Sequence, residues 1–173
     1  PITHGNLTQL RVHELAGLLV AAGRAPARRA VYSQLWAADR LAAAAMWLTV
    51  HMTYARNVYP DGRTLQADDF KPAPEGHTGG SLNIVPAYVG YLAANSLSGL
   101  TRAWLMGQGH CVAGIDACNL LVGNMTPRHA QRYDSSAEGL TRFACDFYSY
   151  AIGADGRPAS PPGNHVGPQP AGG

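Results

Sequence analysis

Charge is what this chain has least of. Only 14% of its 173 residues are Asp, Glu, Lys or Arg. Thirteen basic and eleven acidic side chains leave a formal charge of +2. No basic stripe with interleaved aromatics occurs, which argues against nucleic acid as a partner. So few charges beside 46% apolar residues describe a chain that buries much of its surface, against itself or against a partner. Cysteine is scarce too: Cys111, Cys118 and Cys145, with no CxxC pair. An odd count without that spacing argues against a disulfide framework or a zinc knuckle and reads as buried thiols in a reducing compartment. Long apolar runs are missing. The richest, "LAAAAMWLTV", is too short to span a bilayer. The polar opening "PITHGNLTQL" carries no signal-peptide pattern. A cytoplasmic protein that does not engage membranes is the expectation.

What is present organises as one domain at this length. "LTQLRVHELAGLLVAAGR" places Val12, Leu15, Leu19 and Ala22 at helical spacing, with Gly23 as a stop. A longer, alanine-rich helix is predicted from Arg28 to Tyr54, apolar nearly all round and therefore central. A loop with Asp61-Gly62, Pro72 and Pro74 follows. Ser81 is placed to cap a helix through Asn95, with Pro86 inside it. "RAWLMG" reads as a strand, "CVAGIDACNLLVG" as the next helix, and "SSAEGLTRFACDFYSY" as a last helix with a capping box at Ser135 and Glu138. Helix, strand, glycine-rich turn, helix is the order of an α/β domain with a parallel sheet. From Gly153 the chain is rich in Gly and Pro and has no apolar period.

The predicted strand-to-helix turn, Gly107-Gln108-Gly109-His110, is where α/β sheets gather ligands. Free amides at a helix start favour an anion, and glycines let it come close. The turn holds only part of a dinucleotide fingerprint and lacks the Walker lysine, so an ordinary glycine turn with an exposed histidine competes with this reading. His77 sits in a second Gly-His turn, also before a helix, and His165 lies in "PPGNHVG". Histidine can donate to phosphate or carry a proton near neutral pH. His4 and His129 are expected at the surface, and His13 and His51 on helices.

"EGHTGGSLNIVPAYVGYL" followed by "MGQGHCVAG" resembles the amino-terminal part of the phosphoketolases acting on xylulose 5-phosphate and fructose 6-phosphate. That family has "GHWGT…GLNF", then a helix, a strand and "GPGHGG". "QLWAADRLAAAAMWL", "QADDFKPAPEGH", "SSAEGLTRFACDFYSY" and "PPGNHVGPQPAGG" resemble further family segments in order, so the likeness runs from about Ala30 onward.

The resemblance implies part of a thiamine diphosphate-binding α/β fold, with a parallel sheet flanked by helices and a helix-rich amino-terminal half. It divides the chain into an amino-terminal helical extension (1–28), the diphosphate-binding portion (29–152) and a Gly/Pro-rich segment (153–173). It implies a thiamine-dependent lyase or transferase acting on a ketose phosphate or related keto substrate, with inorganic phosphate as a possible acceptor. His77, His110 and His165 fall on the family's active-site histidines. Gly76, His77, Gly107, Gly109 and His110 fall on its cofactor-binding turns.

Thr78 stands where the family has tryptophan, and Cys111 and Val112 where it has two glycines. No GDG followed by the Asn that holds Mg²⁺ occurs, so the metal ligands are expected outside this chain. The implied molecule is therefore a portion or subunit completed by a complementary chain, and an oligomer. The alternative is a non-catalytic interaction or regulatory subunit derived from the same fold.

Overall fold

The computed structural model describes residues 4–107 and 109–157. Six α-helices occur among them: α1 (Asn6–Ala21), α2 (Arg28–Tyr54), α3 (Thr78–Ser98), α4 (Val112–Leu121), α5 (Pro127–Ala130) and α6 (Ala137–Asp146). Single 3₁₀ turns lie at Ala67–Asp69 and Gly109–Cys111. The 27-residue α2 is the spine and packs against α1, α3, α4 and α6. Leu48 and Met52 of α2 meet Val85, Tyr88 and Val89 of α3, Ala117, Cys118 and Leu120 of α4, and Leu140 and Phe143 of α6 in one buried cluster. Each fully buried large side chain of this kind contributes about 1.5–3 kcal/mol.

The α/β expectation is overturned: no strand, and so no parallel sheet, occurs among the described residues. An isolated antiparallel bridge joins Ala55 and Phe70. "RAWLMG" is extended but has no partner strand. Its alternation is real, since Trp104 and Met106 are half-buried and Leu105 between them is 97% exposed. The inward side chains pack on helices instead. The Trp104 ring sits 5.1 Å from the rings of both Tyr88 and Tyr91, and the Tyr91 hydroxyl donates to the Arg102 carbonyl at 2.6 Å. A strand is defined by the neighbour that takes its backbone hydrogen bonds, and α3 occupies that place.

Three local expectations are also revised. Helix α1 turns Val12, Ala16 and Leu19 inward, while Leu15 and Ala22 are exposed. Helix α3 begins three residues before Ser81, capped by His77, and Ser81 is buried in its first turn. Ser136, not Ser135, caps α6, its hydroxyl accepting from the Gly139 amide at 3.0 Å.

The loop between α2 and α3 is fastened back onto α2. Beside the Ala55–Phe70 bridge, Arg56 N donates to Asp69 O and Lys71 N to Tyr54 O, both at 2.8 Å. The Asp69 carboxylate collects the Gln66 amide at 2.8 Å, Asn57 Nδ2 at 2.7 Å and the Tyr59 hydroxyl at 3.0 Å. These bonds hold the Asp69 carboxyl below its ordinary range, the Gln66 amide contributing most. This knot delivers Gly76 and His77 to the end of α2.

Candidate functional site

Gly76 has φ +130°. A Cβ there would lie 2.9 Å from the Phe147 ring and 3.1 Å from the Thr53 hydroxyl, so only glycine fits between α2 and the turn after α6. The next residue, His77, is the N-cap of α3. Its Nδ1 accepts the Gly80 amide at 3.1 Å, and its carbonyl accepts the Ser81 amide at 3.0 Å. Because Nδ1 accepts, the neutral ring carries its proton on Nε2, and Nε2–H is the group left to meet a ligand. The amides of Thr78 and Gly79 have no partner within the helix. Gly79 has open space where a Cβ would stand.

The second turn comes to the same place. His110 lies in the 3₁₀ turn Gly109–Cys111 that leads into α4. Its ring and that of His77, 33 residues apart in the chain, meet edge to face with centroids 4.4 Å apart. Two close approaches make this possible. A Cβ on Gly80 would lie 2.7 Å from both Cys111 Sγ and His77 Nδ1. One on Gly114 would lie 2.6 Å from the Ser81 carbonyl. The starts of α3 and α4 therefore touch backbone to backbone, and each delivers one imidazole to a common point. His77 is exposed and His110 half-buried. Two helix starts, two imidazoles and local glycines make an arrangement that can receive an anion and exchange a proton with it.

Of the residues singled out in the sequence, the structure brings His77, His110, Gly76 and Gly109 together. Gly107 is exposed and has no neighbour where a Cβ would point. His165 lies outside the described residues. Gly80 and Gly114 were missed, while Cys111, noted beside His110 as a departure from the family, is the side chain that Gly80 makes room for. The Gly79-Gly80 doublet after His77 was the available signal, because a doublet at a helix start marks close approach. His129, expected at the surface, is 5% exposed, and Cys145, expected to be buried, is exposed.

A diphosphate fits this place in part: His77 Nε2–H and the first-turn amides of α3 are donors for it. A metal does not. Among the described residues no group of three or more His, Cys, Asp or Glu side chains is placed to hold one. No helix there is long and apolar enough to cross a membrane. Comparison with protein-family models, with curated proteins and with solved structures returns no match.

Proposed function

We propose that this chain is a portion or subunit of a thiamine diphosphate-dependent, phosphoketolase-like lyase or transferase, acting on a ketose phosphate or related keto substrate. The single observation that carries the reading is the His77–His110 pair, assembled from two Gly-His turns at the starts of α3 and α4. The reading does not draw on a sheet. Thiamine, when bound, supplies an electron sink for carbon–carbon cleavage.

This chain's part is to hold and protonate. His77 Nε2–H donates to an anionic oxygen of the diphosphate or substrate. His110, half-buried beside it, moves a proton to or from the same group. The Mg²⁺ ligands and the rest of the site belong to a complementary chain.

A second reading is favoured by a different observation. Leu105 is 97% exposed, Leu7 and Leu18 68% each, and Trp36 58%. Large apolar side chains left in water suit a chain that docks on a partner, and a non-catalytic interaction subunit would need only that.

One experiment separates the two. The protein is isolated from its natural host, weighed by native mass spectrometry, and assayed for released thiamine diphosphate. A second polypeptide with stoichiometric thiamine diphosphate is the outcome expected of the catalytic portion. A complex without cofactor, to which added thiamine diphosphate and Mg²⁺ do not bind, overturns that reading in favour of the interaction subunit. A lone 18.3 kDa species that binds neither overturns both.

A further inference from the structure

A second built feature lies on the other side of Gly76. An open cleft of about 420 Å³ runs between the end of α2, the segment 71–75 and the turn after α6. Arg56 and Lys71 line it, with Cys145, Phe147 and Tyr148 opposite. Among the described residues neither cation has an ion-pair partner. The one carboxylate in the lining, Glu75, accepts instead from the Tyr150 hydroxyl at 2.9 Å.

Lys71 is half-buried. Its ammonium donates to the Met52 carbonyl at 2.6 Å and the Phe147 carbonyl at 3.4 Å, at the ends of α2 and α6. A lysine has three donors, so one is left for the cleft. Burial is the main influence on Lys71 and lowers its pKa, against weaker pulls from Cys145 and Glu75. That is the condition of a desolvated cation short of negative charge. The Cys145 thiol registers the same field. Partial burial pushes it up, Lys71 and Arg56 pull it down, and Asp146 from α6 pushes against them.

The aromatic wall is held at a cost in backbone strain. Tyr148 and Tyr150 have φ +56° and +55°, the left-handed region that a residue with a Cβ disfavours. The strained turn stacks Tyr148 edge-on against Phe147, with centroids 4.6 Å apart, and carries Tyr150 to Glu75. The carboxylate so held makes no ion pair with either cation, and its charge reaches Lys71 only as one of the weaker influences.

We propose that this cleft binds a small organic oxyanion, a carboxylate or phosphate ester, with Lys71 and Arg56 on the charged end and the half-buried Tyr148 ring against its body. The site stands apart from the histidine pair and does not depend on the reading given to it. Two cations against one carboxylate leave the lining net positive, which favours an anion. A purely structural Lys71, tying α2 to α6, would not need Arg56 or the strained tyrosines.

The test is a titration of the ¹⁵N-labelled full chain with phenyl phosphate, benzoate and neutral benzyl alcohol. Saturable shifts in the amides of residues 145–149 are expected with at least one anion, and which anion wins identifies the head group. Affinity is expected to fall about tenfold in Arg56→Met, as for the loss of one charge-assisted contact. That variant should melt where the parent does, because Arg56 is exposed and its side chain makes no hydrogen bond among the described residues. The proposal is overturned if neither anion saturates, if benzyl alcohol binds equally, or if Arg56→Met binds like the parent.

Discussion

Gly114 of α4 rests on the backbone carbonyl of Ser81 in α3, at a separation where a Cβ would sit 2.6 Å from that oxygen. Ile84 and Val85 close the remaining space, at 2.8 and 3.0 Å. No side chain can swing aside to relieve a carbonyl contact, so the helices themselves would have to part. Gly114→Ala is expected to destabilise by about 1–3 kcal/mol, as overpacking does. Urea unfolding checks it: the midpoint falls while the slope is kept. A midpoint equal to that of the parent would mean that α3 and α4 are not in backbone contact.

His77 has two separable roles, cap and ligand donor. His77→Ala removes the bond to the Gly80 amide and is expected to cost about 1 kcal/mol. His77→Asn restores a cap acceptor but not an imidazole. Stability should therefore return in Asn while turnover, measured in the completed complex, stays abolished. His110→Ala should abolish turnover with little change in melting temperature. Normal turnover in both His77→Asn and His110→Ala would remove the pair from the chemistry.

Acid should weaken the fold through Asp69. Its hydrogen bonds lower its pKa from the ordinary 3.8, so the folded state binds this proton more weakly than the unfolded chain. The stability it lends is fully present above about pH 5 and is lost as pH falls through and below 3.8. Asp69→Asn cannot ionise and places an amide where three donors already converge. It should be less stable than the parent at pH 7 and show a flatter decline toward pH 3 in a chemical-denaturation series. Parallel pH curves for the two proteins would refute this.

The three thiols should differ in reactivity. Burial pushes Cys118 up to about 12 and raises Cys111 as well. Partial burial of the sulfur and the Asp146 charge raise Cys145 too, against Lys71 and Arg56, but of the three it alone is an exposed residue that a reagent can reach. Iodoacetamide at pH 8 should add one label to the folded protein, at Cys145, and three labels after denaturation. Intact mass and peptide mapping read this directly, and early labelling of Cys118 would contradict the packing of α4.

Helix-forming segments were legible because their signals are local. The alanine-rich run after Pro26 is enough to specify α2 from Arg28 to Tyr54, and Gly23, with φ +66°, ends the segment before it. The sheet misreading shows the limit of local pattern. The alternation of Trp104, Leu105 and Met106 reports a half-buried extended chain, and nothing in those residues says whether a strand or a helix lies beneath. The start of α3 was misplaced because serine is the commoner cap. Here an imidazole caps, and the Gly79-Gly80 doublet lets the helix begin early enough to bury Ser81. The two Gly-His turns were visible as separate features. Their meeting was not, since it depends on Gly80 and Gly114 touching a neighbouring helix. The cleft left no trace, because Arg56, Lys71 and Phe147 come from three distant segments.

The burial pattern of α2 has a consequence for how the molecule opens. Of its buried residues only Val31 lies in the first half; Ala45, Leu48, Thr49, Met52 and Thr53 all lie in the second. Helix α1 contributes a single buried residue, Ala16. Helix α1 and the first half of α2 thus adhere to the rest through a thin contact, while the second half of α2 is locked into the main cluster. Amide exchange should then follow two clocks along one continuous helix. The first turns of α2 would exchange through partial fraying with α1, and residues 45–53 only when the whole domain unfolds.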